Sequence, residues 1–280
     1  DALVFVGACG IAVRAIAPHI RSKTEDPAVI CVDERGRFSI SLLSGHIGGG
    51  NRLANAIAAG IGATPVITTA TDVNGRFAVD AWAAEQGFVL GSMAAAKDIA
   101  ATILERDVPI CADGPIRGTL PAGLYPGVEG DVGISVSMRT KEPFSETLSV
   151  IPRALTLGLG CRRGTAKEAI EQTVFEVFKE NGLDLRAVRE AASIDLKADE
   201  PGLLAFCEQL GISVLFYAAE TLAAVRGSFT PSAFVQKVTG VDNVCERSAA
   251  AGGGKLIVKK TARRGVTVAV AETAWEVNFE

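Results

Sequence analysis

Leu3-Val4-Phe5-Val6-Gly7-Ala8-Cys9-Gly10-Ile11 is a short unbroken apolar run, a turn between two glycines and the opening of a helix that continues to Ile20. Four consecutive apolar residues closed by glycine are too few for a helix of their own and read as a strand buried on both faces. The strand–turn–helix unit sets the class, and the flanking sequence repeats it. Residues 28–33 and 37–42 are two β-rich runs around Glu34-Arg35-Gly36, a hairpin signal. Ser44-Gly45-His46-Ile47-Gly48-Gly49-Gly50-Asn51 opens a second helix that ends by Gly62, and Pro65-Val66-Ile67-Thr68-Thr69 is a further strand. Alternating strands and helices predict a three-layer α/β domain with a partly parallel sheet over residues 1–74. Because a domain rarely starts on a central strand, the chain is expected to continue upstream of Asp1.

From 75 to 150 the pattern weakens into a middle module or linker. It holds helices near 77–87 and 93–106, a strand near 108–112, and a Gly/Pro-rich stretch, Asp113 to Gly133, that reads as loop. A second α/β domain covers 151–280. Ala154 to Leu159 is its first strand, Gly160-Cys161-Arg162-Arg163-Gly164 its turn, and Thr165-x-x-Glu168 a capping box for the helix that follows. That helix buries Ile170, Val174, Val177 and Phe178 and stops at Asn181-Gly182. Strands at 213–217, 256–259 and 266–271, with helices near 200–210, 231–239 and 242–251, complete the unit.

Composition narrows the function. The net charge of −4 and few aromatics give neither the basic surface nor the stacking platform of a nucleic-acid reader. No apolar run approaches the roughly 18–20 residues of a membrane span. Six scattered cysteines without a CxxC pair suit a reducing cytoplasm better than a disulfide framework or a zinc site.

Three glycine turns lead into helices at 7–11, 44–52 and 158–165, each followed by a basic residue: Arg14, Arg52, and the Arg162-Arg163 pair. A helix start offers free N–H groups and partial positive charge, so each turn is a candidate anion site; the same glycines also serve plain tight turns. Neither a Walker A loop nor the dinucleotide fingerprint is present, and without Gly-x-Ser-x-Gly a nucleophile elbow is not supported.

His46, one of two histidines, is the first candidate proton carrier, with the helix end expected to depress its pKa and favour the neutral ring; the alternative is an imidazole that caps the loop. Asp72 closes the hydroxyl-rich strand end that includes Thr68 and Thr69, where open α/β sheets collect ligands. Glu246 is a further candidate base or a solvated helix charge. Cys161, at a helix start beside arginines, is in a setting that lowers a thiol pKa. Arg162 offers a planar fork for a carboxylate.

Gly10-Ile11-Ala12-Val13-Arg14 through Pro18, Leu42-Leu43-Ser44-Gly45-His46-x-Gly48-Gly49-x-Asn51, and Pro65 through Asp72 together resemble the amino-terminal part of the CbiG-type cobalamin biosynthesis family. Gly158-Leu159-Gly160-Cys161-Arg162, Ser193-Ile194-Asp195-x-Lys197, Val244-Cys245-Glu246 and the closing Lys260 to Glu272 resemble its carboxy-terminal part. Residues 75–145 match most loosely. The resemblance implies hydrolytic opening of the δ-lactone of cobalt-precorrin-5A, loss of a two-carbon unit as acetaldehyde, and cobalt-precorrin-5B as product. Within that chemistry His46, Glu246 and Asp72 are the catalytic candidates. Gly10, Arg14, Ser44, Gly45, Gly48, Gly49, Asn51, Thr68, Thr69, Cys161 and Arg162 are the substrate-binding ones, with the turns at 44–52 and 158–165 expected to share one cleft and glycine-turn N–H groups to hold the oxyanion. Cobalt arrives with the substrate, so the resemblance implies no cofactor and no metal site. The implied partners are the cobalt-corrinoid substrate and other enzymes of the pathway, with no nucleic acid and no membrane. The alternatives are a corrinoid-binding or carrier protein without catalysis and a nucleotide- or phosphate-binding enzyme that uses the 44–52 turn.

Overall fold

The computed structural model describes residues 1–22 and 25–280. Its chain forms three α/β modules, each with its own sheet.

The first module contains β1 (Ala2–Val6), α1 (Cys9–Ile16), β2 (Ala28–Val32), β3 (Phe38–Leu43), α2 (Gly50–Ile61), β4 (Thr64–Val66) and α3 (Ala70–Val73). Its sheet runs β1-β2-β3-β4, parallel except for the β2–β3 hairpin. The hairpin forms where the sequence places it. Gly36 takes φ +63, and the Asp33 carboxylate accepts from the N–H groups of Arg37 and Phe38 at 2.6 and 2.7 Å, which ties the turn down. The order of burial differs from expectation. Every residue of β2 is buried, whereas β1, read as a buried strand, is the edge strand, with Leu3, Val4 and Val6 46%, 50% and 75% exposed. Ile30, Val32 and Ala54 make the core under α2.

The middle region is a module rather than a linker. After α4 (Val79–Glu85) come β5 (Val89–Leu90), α5 (Met93–Glu105), β6 (Val108–Ala112), β7 (Ile116–Arg117), β8 (Leu124–Pro126), β9 (Val132–Val136) and β10 (Glu146–Ile151). The sheet order is β5-β10-β9-β6-β8, with only the β5–β10 pair antiparallel. The stretch 113–133, read as loop, thus carries β7, β8 and the start of β9. Strands of two or three residues among glycines and prolines leave no period long enough to read.

The third module follows as β11 (Leu155–Cys161), α6 (Lys167–Glu180), β12 (Val188–Ile194), α7 (Pro201–Gln209), β13 (Ser213–Tyr217), α8 (Ala219–Ala224), α9 (Ala233–Thr239), α10 (Cys245–Ala250), β14 (Lys255–Arg263) and β15 (Val266–Glu272). Strand β12 is absent from the sequence reading. The sheet runs β13-β12-β11-β15-β14. Residue size sorts its two faces. Leu155, Leu157 and Leu159 of β11 and Val266, Val268 and Val270 of β15 pack with Ile170, Val174 and Phe178 of α6. The alternate positions are small: Ala269 and Ala271 meet Cys245 and Ala249 of α10. Side chains alternate along a strand, so bulk on one face and alanine or glycine on the other lets α10 lie close on the sheet. No capping box forms at α6: its N-cap is Ala166, and Thr165 Oγ1 instead donates to the Arg162 carbonyl at 2.7 Å.

The last strand, β16 (Val277–Asn278), returns to pair with β7. Phe279 stacks on Trp82 with centroids 5.1 Å apart, and Trp82 Nε1 donates to the Asn278 carbonyl. Among the described residues no helix is long and apolar enough to cross a membrane.

Candidate active site around His46

The loop between β3 and α2 is wound tightly enough to need its glycines. Ser44 sits at φ +53 and its hydroxyl donates to the Asp26 carbonyl at 2.8 Å. A Cβ on Gly48 would stand 2.5 Å from Ser44 Cβ, and one on Gly45 would stand 2.6 Å from Asn51 Oδ1. The N–H groups of Gly49, Gly50 and Asn51 donate to the carbonyls of His46, Ser44 and Gly45. These donors, expected to hold an anion, are therefore spent inside the loop, and what the loop presents is the His46 ring.

That ring lies between two carboxylates. Nε2 is 2.8 Å from Asp72 Oδ2, and Nδ1 is 3.1 Å from Asp80 Oδ1. Thr71 Oγ1 stands 3.3 Å from Nε2. Asn51 Nδ2 donates to both Thr69 Oγ1 and Asp72 Oδ2, at 2.9 and 3.0 Å, so the carboxylate oxygen that meets His46 is held by Asn51 as well. The His46 and Asp80 side chains are 15% and 17% exposed, while Asp72 is 40% exposed and meets solvent.

The electrostatics reverse the sequence expectation. The His46 pKa is raised from 6.5 to about 8, first by the hydrogen bond to Asp80 and further by Asp72, with burial pulling the other way. A helix dipole contributes about 0.3–1 kcal/mol, too little against two carboxylates in direct contact. At neutral pH the ring is mostly imidazolium, a proton donor held by a buried acid on one side and a solvent-facing acid on the other.

A cavity of about 320 Å³ opens beside this group. One wall is His46, Thr69, Thr71 and Asp80; the other is a face of α5 with Lys97, Ala100 and Leu104. The site is thus assembled between the first and middle modules. Asp80 and Lys97 were not legible as site residues. Asp80 reads as an ordinary acid in the first turn of a helix, and nothing local ties it to His46.

The other candidates are dispersed. Gly10 and Arg14 are exposed on α1, and Thr68 is exposed after β4. The turn at 158–165 does not line the His46 cavity, so the expected shared cleft does not form there. Its anion position is already filled by the protein: Glu200, 1% exposed, accepts from Gly164 N–H at 2.9 Å and from Lys197 Nζ at 2.9 Å. Burial pushes the Cys161 thiol up rather than down. The Arg162 stem packs over Gly265. Glu246 is fully buried and accepts from Thr230 N–H, Thr230 Oγ1 and Lys260 N–H at 2.6, 2.9 and 2.7 Å. A carboxylate so enclosed and satisfied is a structural clamp rather than a base.

Residues 1–72 match the family described as Cobalamin synthesis G N-terminal, and residues 155–271 match Cobalamin synthesis G C-terminus. The chain is 35% identical over 282 residues to the Cobalt-precorrin-5A hydrolase of Salmonella typhimurium, covering 95% of this chain and 80% of that protein. It is 29% identical over 291 residues to the Cobalt-precorrin-5A hydrolase of Priestia megaterium, covering 96% and 78%. Protein CobE of a Sinorhizobium species is 35% identical over 124 residues, 43% of this chain and 80% of that one.

Proposed function

The chain belongs to the cobalamin synthesis G family, and from that premise we propose that it hydrolyses the δ-lactone of cobalt-precorrin-5A, releasing acetaldehyde and cobalt-precorrin-5B. The observation that carries this reading is the 35% identity to a hydrolase of that name across 95% of the chain. The His46 group supports it, because it supplies a proton donor and a proton acceptor side by side.

The chemistry follows from what a lactone needs. Water adds to the carbonyl carbon, and its proton goes to Asp72, the more exposed carboxylate. The carbonyl electron pair moves onto oxygen; protonation of Asp72 ends its charge-paired hold on His46 Nε2, and the Nε2–H so released donates to the oxyanion while Nδ1–H stays on Asp80. His46 takes the part first given to glycine-turn N–H groups, which are occupied. The tetrahedral centre then collapses and breaks the ring C–O bond, and the freed alkoxide becomes the aldehyde carbonyl. As it does so, the bond joining the two-carbon unit to the macrocycle breaks; its electron pair stays with the macrocycle, which takes up a proton. Asp80 touches His46 and not the substrate, so it is a positioning residue. A cavity of about 320 Å³ sits at the low end of small-molecule sites, roughly 300–1,000 Å³. It admits the lactone edge and leaves most of the macrocycle outside. Cobalt belongs to the substrate. The free cysteines among the described residues suit a cytoplasmic enzyme.

Incubation with cobalt-precorrin-5A tests the reading. Acetaldehyde release, together with a corrinoid product of the lactone-opened mass, is expected. Tight binding of the substrate with no acetaldehyde would make the protein a corrinoid carrier instead.

A further inference from the structure

Thr69 occupies the N-cap position of α3, yet its side chain makes no cap hydrogen bond. A threonine there ordinarily accepts from an N–H group of the first turn. Its Oγ1 is turned instead to Asn51, whose Nδ2 donates to it at 2.9 Å. A third residue fixes the direction of that bond. Nδ2 also stands 3.0 Å from Asp72 Oδ2. An ionised carboxylate only accepts, so the Asn51 atom facing it is the amide nitrogen and not the amide oxygen. Both amide hydrogens are then spent, one on Asp72 and one on Thr69. The loop is built around this amide: Asn51 is 8% exposed, and a Cβ on Gly45 would stand 2.6 Å from its Oδ1. A hydroxyl carries a single hydrogen. With Asn51 donating to Thr69 Oγ1, that hydrogen has no acceptor among the described residues, and Thr69 lines the cavity beside His46.

We infer that Asn51 is a positioning residue that keeps Thr69 a hydrogen-bond donor toward the cavity, where the Thr69 hydroxyl binds the lactone carbonyl oxygen as a second donor beside His46. The inference rests on the reading of the His46 group as a hydrolytic centre and goes beyond it by naming a further donor and what orients that donor. A carbonyl oxygen only accepts, and it gains negative charge as water adds to the carbon. A hydroxyl aimed at it therefore binds more strongly in the transition state than in the ground state. No proton leaves Thr69 in this role. The backbone N–H groups of Gly49, Gly50 and Asn51 cannot fill it, because they are bonded within their own loop.

Thr69→Val keeps the shape of the side chain and removes the donor. With cobalt-precorrin-5A it is expected to lower kcat by about 10²-fold, the lower end for loss of one oxyanion donor, while KM changes much less. Thr69→Ser, which keeps the hydroxyl, should retain most of the rate. Asn51→Asp, of nearly the same size, offers Thr69 an acceptor in place of a donor and turns its hydrogen away from the cavity. Its kcat should fall at least as far, and adding Thr69→Val to it should cost little more. Neutron diffraction of deuterated wild type reads the same polarity without any variant: two deuterons on Asn51 Nδ2, and the Thr69 deuteron off the line to Asn51. Normal kcat in folded Thr69→Val overturns the inference and leaves the hydrolase reading in place. So do effects of the two substitutions that simply multiply, or a Thr69 deuteron on the line to Asn51. A wild type that binds cobalt-precorrin-5A and releases no acetaldehyde overturns both, because the carbonyl assigned to this donor goes with the hydrolase reading.

Discussion

Asp80 Oδ1 stands 3.1 Å from His46 Nδ1, although the two residues belong to modules built on separate sheets. The proton state of His46 is therefore set by how the first module docks on the second. Three consequences for the site are open to measurement, and two glutamate and glycine positions in the third module provide the contrast.

Asp80→Asn removes the largest contribution to the raised His46 pKa. The titration midpoint of His46 is expected to fall from about 8 toward 6.5. With two histidines in the chain, NMR of the imidazole resonances resolves it, using His46→Ala for assignment. The alkaline limb of the rate profile should move down in step. An unmoved midpoint would show that Asp80 does not orient the ring.

His46→Ala is expected to lower kcat by about 10²- to 10⁴-fold, as for loss of a general acid–base group, while the protein stays folded. Circular dichroism and kcat on one preparation decide the matter. A folded variant with normal kcat would leave His46 a loop-capping residue.

The raised pKa also makes stability depend on pH. Because the folded value of about 8 lies above the ordinary 6.5, the contribution is complete below pH 6.5 and is lost as pH rises through about 8. It amounts to at most about 2 kcal/mol, less what solvent screens around half-open Asp72. Between those pH values Tm should fall further in wild type than in His46→Ala; parallel curves would contradict this.

Glu246→Ala should act on stability alone. It strands two backbone N–H groups, of Thr230 and Lys260, at about 1–3 kcal/mol for each that stays dry. A lowered Tm with near-normal kcat in the folded fraction is expected. A collapse of kcat at full stability would return Glu246 to the mechanism.

Gly158→Ala separates a packing glycine from a ligand glycine. A Cβ there would overlap the Cys245 carbonyl oxygen and press on Ala249 Cβ, at 2.8 Å. The cost should reach or exceed the upper part of the roughly 1–3 kcal/mol range for overpacking. It should appear in denaturant unfolding, with KM unchanged in whatever remains folded.

Local pattern alone determined the class of the fold, the hairpin at Glu34-Arg35-Gly36, helices α5 and α6, and the loop that carries His46. Those features arise from neighbours a few residues apart: apolar period, turn glycines and helix stops. The strand-end hydroxyls, the helix-start turn and the family resemblance also singled out Asn51, Thr69 and Asp72, but it is folding that brings them to His46. Tertiary structure decided the rest. The exposure of β1 depends on which strand is central, and its own four apolar residues do not say. Glu200 occupying the Gly164 turn, and Glu246 buried among three donors, are long-range contacts that turned two apparent sites into structural ones. The sign of the His46 pKa shift was decided by Asp80, a residue of another module. A carboxylate in hydrogen-bond contact outweighs a helix end, and no local reading reveals which carboxylate folding will bring there.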